Sequence, residues 1–120
     1  MIVGVGTDLV EIERIRKMIE RRKVLSRIYT EEELTFSKGN ITTLAGNFAV
    51  KEAVSKVFGT GFFGIEIYEI EVLRNKAGAP YVVLSGRAQH KAKELGIHRI
   101  HVSISNTKEF ASVIAIGESI

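Results

Sequence analysis

The sequence has 120 residues, 45% of them hydrophobic and 26% charged, and a net charge of +3. Length and composition fit one globular domain spanning 1–120 and exclude disordered, collagen-like and coiled-coil chains. No run nears the ~18 apolar residues of a membrane span, the start lacks a secretory signal, and the absence of cysteine excludes disulfides and thiolate chemistry; a cytoplasmic location is expected.

Residues 2–10 read as a strand, β-branched and apolar, with Gly4 and Gly6 allowing close backbone approach. Residues 11–22 read as an amphipathic helix. Ile12, Ile15 and Ile19 recur on its core side beside Met18, while Arg14, Lys17 and Arg21 form a basic stripe on another. Thr30 followed by Glu31, Glu32 and Glu33 is a capping box opening a short helix that stops near Gly39. Thr42 to Phe58 carries Leu44, Phe48, Val50, Ala53, Val54 and Val57 with small residues between them. That predicts a helix apolar on most of its surface, near the centre of the fold, ended by Gly59 and Gly61.

Residues 66–74 alternate as a strand, 75–78 form a turn, and 80–84 return; Pro80 argues for an edge position. Ser85 caps a helix to Leu95, closed by Gly96. Residues 99–105 alternate again, with Ile100, Val102 and Ile104 opposite His101, Ser103 and Ser105. A hairpin at 106–109 leads to a final strand, 110–116, apolar enough to be covered on both sides. The order β-ααα-ββ-α-ββ indicates an α+β fold, an antiparallel sheet with a long central helix. So short a chain buries only about two-thirds of its unfolded surface. One subunit need not wall a whole site, and oligomerisation is expected.

The charge is uneven. Between Arg14 and Arg27, seven cations face Glu20 alone, a net +6 that leaves the remainder at −3. Such a segment suits an anionic partner or forms a solvated helix face. Asp8, the only Asp, stands near the end of the first strand, as a helix cap or a functional carboxylate. On the long helix Glu52 and Lys56 are i, i+4 and share a face one turn after Phe48, and Lys51 with Ser55 forms a second such pair beside them. Charges on an apolar helix are costly to bury unless paired or bound to something; the alternative is an ordinary surface pair. His101 with Ser103 or Ser105 lacks the third member of a triad. Gly4 and Gly6 lack the third glycine of a dinucleotide fingerprint.

Three segments stand in order: GVGTDLVEI from Gly4, AGNFAVKEAVSKVFGTG from Ala45 and HVSISNTKEFA from His101. Together they closely resemble the holo-[acyl-carrier-protein] synthases, the small stand-alone 4′-phosphopantetheinyl transferases, over essentially the whole chain. The run NKAGAPY from Asn75 resembles that family's hairpin. The resemblance implies transfer of the phosphopantetheine arm of coenzyme A to a serine of apo acyl carrier protein, in fatty acid biosynthesis. The by-product is adenosine 3′,5′-bisphosphate. It implies Mg²⁺ held by Asp8 and Glu52, with Lys56 completing the catalytic set by neutralising charge on the leaving group. Coenzyme A contacts are implied for Lys51, Ser55, Lys56, Gly59, Asn106, Thr107 and Lys108. Carrier-protein contacts are implied for Arg14, Lys17, Arg21 and Arg27. Family members are homotrimers with coenzyme A between subunits.

Two positions depart from the family pattern. Asn106 stands where many relatives have His, and an amide cannot act as a general base near neutral pH. A water or hydroxide held by the metal and by Asp8 or Glu52 is then the expected proton acceptor. Asn47 stands where many relatives have Arg, so phosphate binding is expected to rely more on Lys51, Lys56 and Lys108. Two other classes compete. A basic nucleic-acid module is disfavoured by an aromatic content of 8% and by the lack of an RNP1 signature. A relative that keeps the fold without activity is motivated by Asn106. Neither a nucleic acid nor a membrane is expected as partner.

Overall fold

The computed structural model describes the backbone of residues 1–120 and every side chain except that of Arg22. Strand β1 (Ile2–Glu11) is followed by helices α1 (Ile12–Ile19), α2 (Arg22–Ile28), α3 (Glu31–Ser37) and α4 (Ile41–Val57). A 3-10 turn (Ile67–Glu69) leads into β2 (Ile70–Arg74) and β3 (Pro80–Leu84), then α5 (Gly86–Glu94), β4 (Arg99–Asn106) and β5 (Phe110–Glu118). The α+β class and the long central helix are as expected, with one helix more than the sequence reading.

The extra helix comes from a break at Arg21, whose φ of −83° and ψ of 89° are not helical. Had the helix run on to residue 22, its inward face would have reached Arg22 and Lys23 after Ile12, Ile15 and Ile19. Breaking there re-aims the chain so that Val24, Leu25 and Ile28 face the core. Arg21 therefore sits at the junction of two helices and does not extend the Arg14–Lys17 stripe. Helix α3 starts as read: the Thr30 hydroxyl accepts from Glu33 N at 3.2 Å and Glu33 Oε1 accepts from Thr30 N at 3.1 Å.

The segment read as a strand from residue 66 begins with the 3-10 turn. Its buried Glu69 carboxylate accepts from Glu66 N at 2.8 Å and from Arg87 N at 2.9 Å. That carboxylate closes the turn and satisfies the start of α5. Ser85 holds the N-cap position without a side-chain bond, contrary to the reading of it as the capping group.

There are two antiparallel sheets, not one: β1-β5-β4 and β2-β3. The register of the larger runs from Ile2↔Glu118 to Glu11↔Phe110 between β1 and β5, and from Arg99↔Glu118 to Asn106↔Ala111 between β4 and β5. Pro80 opens β3, whose only ladder partner is β2, as its missing N–H requires. Helix α4 covers one face of the larger sheet. Leu44, Ala45, Ala49, Val50, Ala53 and Val54 are buried there with Ile15, Ile70 and Val72. The helix backbone rests directly on β1, because a Cβ at Gly6 would lie 1.9 Å from Ala53 O and one at Gly4 2.5 Å from Val57 O. The other face of the sheet is uncovered: Val5 is 52% exposed, Leu9 64% and Ile114 41%. Strand β5 thus alternates, with Ala111, Val113 and Ala115 inside, and is not covered on both sides within one chain. Among the described residues no helix is long and apolar enough to cross a membrane.

Candidate active site

Strand alternation puts Gly4, Gly6, Asp8 and Val10 on the face of β1 that meets α4. The two glycines meet Val57 and Ala53, so strand and helix run antiparallel. The next inward position, Asp8, lies one step further toward the start of α4, where its charge acts on Glu52 and Lys56 reaches it. Lys56 Nζ lies 3.6 Å from Asp8 Oδ1 and donates to Thr7 O at 2.8 Å. It reaches across to β1 and not along the helix to Glu52, its expected i, i+4 partner. Asp8 caps no helix: residue 11 is the N-cap of α1 and has no side-chain bond there.

Glu52 is half-buried, and its carboxyl is pushed above the usual carboxylate range. Burial is the larger cause and the charge of Asp8 the second, with Lys56 and Arg14 opposing both. Two like charges so placed are relieved by a cation between them. Among the described residues no group of three His, Cys, Asp or Glu side chains could hold a metal ion. A pair of carboxylates suits a hard divalent cation that keeps its waters and takes phosphate oxygens, and does not suit zinc. The chemistry of the donors therefore fits Mg²⁺. Asp8, Glu52 and Lys56 line neither the hollow of about 590 Å³ between β3, α5 and β4 nor that of about 500 Å³ between α3 and the β2–β3 hairpin. Both carboxylates are partly buried, and Lys56 beside them is more than half exposed.

Arg14, on α1, is exposed yet close enough to influence Glu52. Lys17, Arg21 and Arg27 are exposed as well, Arg27 in the last turn of α2. Gly59 stands in the open just past the end of α4, with φ 79°. Asn106, Thr107 and Lys108 are exposed on the β4–β5 hairpin. That hairpin is tied to α1 by Ile12 N donating to Glu109 O at 2.8 Å, but β5 separates β4 from Asp8. One chain does not bring these three to the carboxylates.

Two expected coenzyme contacts are turned into the interior. Lys51, expected near phosphate, is fully buried: its Nζ donates to Glu33 Oε1 at 2.7 Å and to the Ile70 carbonyl. The ammonium also lies 5.6 Å from the centroid of the Tyr29 ring. Desolvation pushes the lysine pKa down and Glu33 opposes it. Ser55, buried too, donates its hydroxyl to Glu52 O at 2.6 Å. Neither presents an atom to a ligand. Asn47 is likewise buried, donating to Glu33 Oε2 at 3.0 Å and to Val72 O at 3.2 Å. The partner missed by the sequence reading is Glu33, taken only as half of a capping box. The available signal was Lys51 itself, since a cation on a buried helix needs an anion.

The family model described as the 4′-phosphopantetheinyl transferase superfamily matches residues 4–114. The holo-[acyl-carrier-protein] synthase of Lachnoclostridium phytofermentans is 55% identical over 120 residues, covering 100% of this chain and 98% of that one. A solved holo-(acyl-carrier-protein) synthase from Bacillus anthracis, in complex with CoA (3′,5′-ADP), is 38% identical with a TM-score of 0.84, covering 100% of this chain and 99% of that one. The acyl carrier protein synthase of Plasmodium yoelii with ADP bound superposes with a TM-score of 0.91 at 29% identity, covering 100% and 97% of the two chains. Sequence and fold agree, and the chain belongs to the holo-[acyl-carrier-protein] synthase family of the 4′-phosphopantetheinyl transferase superfamily.

Proposed function

We propose that this chain transfers the 4′-phosphopantetheine group of coenzyme A to a serine hydroxyl of an apo acyl carrier protein and releases adenosine 3′,5′-bisphosphate. The observation that carries this reading is the facing of Asp8 and Glu52 across β1 and α4, with Lys56 beside them. Mg²⁺ held by these two carboxylates would withdraw charge from the pyrophosphate and orient it. Lys56, more than half exposed beside Asp8, neutralises a phosphate oxygen as charge develops on the leaving group. The nucleophile is the partner's serine, so the chain needs no Ser or Cys of its own. Asn106 offers amide hydrogen bonds to substrate and holds no proton-accepting nitrogen near neutral pH.

Arg14, beside the carboxylates, and the exposed Lys17, Arg21 and Arg27 supply cations suited to an acidic carrier protein. The uncovered Val5, Leu9 and Ile114 support a homotrimer in which a neighbouring hairpin with Asn106, Thr107 and Lys108 completes the coenzyme A site. The test is to incubate the protein with apo carrier protein, coenzyme A and Mg²⁺ and to weigh the carrier protein. A gain of one phosphopantetheine is expected, lost on chelation of the metal. No gain, with coenzyme A still bound, would identify a relative that keeps the fold without the activity. Light scattering gives the number of copies independently.

A further inference from the structure

Glu33 holds two residues of α4 at once. Its Oε1 accepts from Lys51 Nζ at 2.7 Å and its Oε2 from Asn47 Nδ2 at 3.0 Å. Lys51 and Asn47 are four residues apart, so the carboxylate grips one stripe of the helix over a full turn. The same two side chains donate to consecutive inward carbonyls of β2, Ile70 O from Lys51 and Val72 O from Asn47. Helix α4 is thereby fastened to α3 and β2 by four hydrogen bonds, all buried. On another side it lies backbone to backbone against β1 at Gly4 and Gly6.

Glu52 directly follows Lys51, about 100° further round the helix. Where Lys51 is pinned, the direction of Glu52 is pinned with it. Apolar contacts set this orientation less sharply, since α4 is buried on nearly every side and its buried apolar side chains are mostly small, Ala and Val. A slip of one residue would move the helix by about 1.5 Å and turn Glu52 by about 100°, away from Asp8. Such a slip would leave Lys51 and Glu33 each an unpaired buried charge.

We propose that Glu33 is a positioning residue for the carboxylate pair: through Lys51 and Asn47 it fixes the roll of α4 that presents Glu52 to Asp8. This rests on the reading of Asp8 and Glu52 as the metal-binding pair. It separates two functions of adjacent lysine and glutamate residues, one facing inward to set the angle and one facing outward to use it.

The test compares Glu33→Gln, the doubly neutral Glu33→Gln/Lys51→Met, and Glu52→Gln as a reference. Binding of Mn²⁺ to each protein with coenzyme A is followed by the EPR signal of free Mn²⁺. Melting temperature and the Mg²⁺ dependence of turnover are measured alongside. Both Glu33 variants are expected to raise the half-saturating Mn²⁺ and Mg²⁺ concentrations about tenfold, with KM for the carrier protein within about twofold; a tenfold change is a 1.4 kcal/mol difference. The double variant removes the unpaired charge and is expected to melt near the wild type, so weakened metal binding there is not a loss of folding. Wild-type metal half-saturation in the double variant, or a lowered melting temperature in Glu33→Gln with metal half-saturation unchanged, would reduce Glu33 to a stabilising contact and overturn the proposal. If Glu52→Gln itself binds Mn²⁺ as the wild type does, the assignment of the metal pair fails, a result distinct from either of these.

Discussion

Replacing Gly6 with alanine tests how closely α4 and β1 approach. The new Cβ would stand 1.9 Å from Ala53 O, 2.9 Å from Ala53 C and 3.0 Å from Lys56 Cβ. The first two are main-chain atoms, so no side chain can swing away. Restoring an ordinary C···O contact of about 3.3 Å requires strand and helix to separate by about 1.4 Å. Overpacking of this kind costs about 1–3 kcal/mol, and rigid neighbours favour the upper half of that range. At about 4 °C per kcal/mol for a domain of this size, the melting temperature should fall by about 8–12 °C. Turnover should fall as well, because Ala53 lies between Glu52 and Lys56. Gly46, also within α4, gives the opposite sign: a Cβ there meets Ile104 side-chain carbons at 3.5 Å, ordinary van der Waals contact. Gly46→Ala should therefore stabilise by about 0.5–1 kcal/mol, as expected for glycine removed from a helix interior. Thermal denaturation of the two variants decides the matter. A Gly6→Ala protein that melts within about 2 °C of wild type, under half a kcal/mol by the same conversion, would refute the close-approach argument.

Tyr29→Phe deletes the buried hydroxyl that donates to Leu44 O at 2.7 Å. It should cost about 1–2 kcal/mol by chemical denaturation, since the carbonyl stays behind without its donor. In metal-free protein, Asp8→Asn should lower the Glu52 carboxyl pKa followed by ¹³C NMR, because the Asp8 charge is the second cause of its elevation. An unmoved titration would mean that the two do not face each other. By the same sign, wild-type metal affinity should weaken as pH falls through that raised value, as protons compete for Glu52. Arg14→Glu with Arg21→Glu should raise KM for the carrier protein at low salt and leave KM for coenzyme A nearly unchanged; an unchanged carrier KM moves the docking face elsewhere, to Arg27 first. Asn106→His should alter kcat only a few-fold, with no new limb near the ~6.5 of an unperturbed histidine. A hundredfold gain with such a limb would mean that the chain lacks its base.

Local patterns were legible in the sequence and long-range carboxylates were not. The Thr30 box and the long apolar run of α4 involve neighbours along the chain, and both stand as read. The 3-10 turn at Ile67 and the uncapped Ser85 trace to one carboxylate, Glu69, acting on residues three before and eighteen after it. The break at Arg21 was hidden because a basic stripe and a helix share the same spacing. At the site, Asp8, Glu52 and Lys56 were singled out through the family pattern, and strand alternation turns Asp8 toward α4. Lys51 was misread for a reason of direction. Two lysines five residues apart on one helix point nearly opposite in environment, and only the position of Glu33, eighteen residues away, decides which one is internal.

The pairing of β1 with β5 also governs how the chain reaches this structure. The two strands join residues about a hundred positions apart, from Ile2↔Glu118 to Glu11↔Phe110. During synthesis at about 5–20 residues per second, β1 leaves the ribosome roughly 5–20 s before its partner exists. Through that interval a strand with Val3, Val5 and Leu9 on one side has no ladder to join and no sheet to shelter it. Helix α4, on which Gly4 and Gly6 rest in the folded chain, is translated before β5. A circular permutant linking the ends, where Ser119 N already donates to Met1 O at 2.8 Å, would make β5 and β1 sequence neighbours and turn a slow, late closure into a local one.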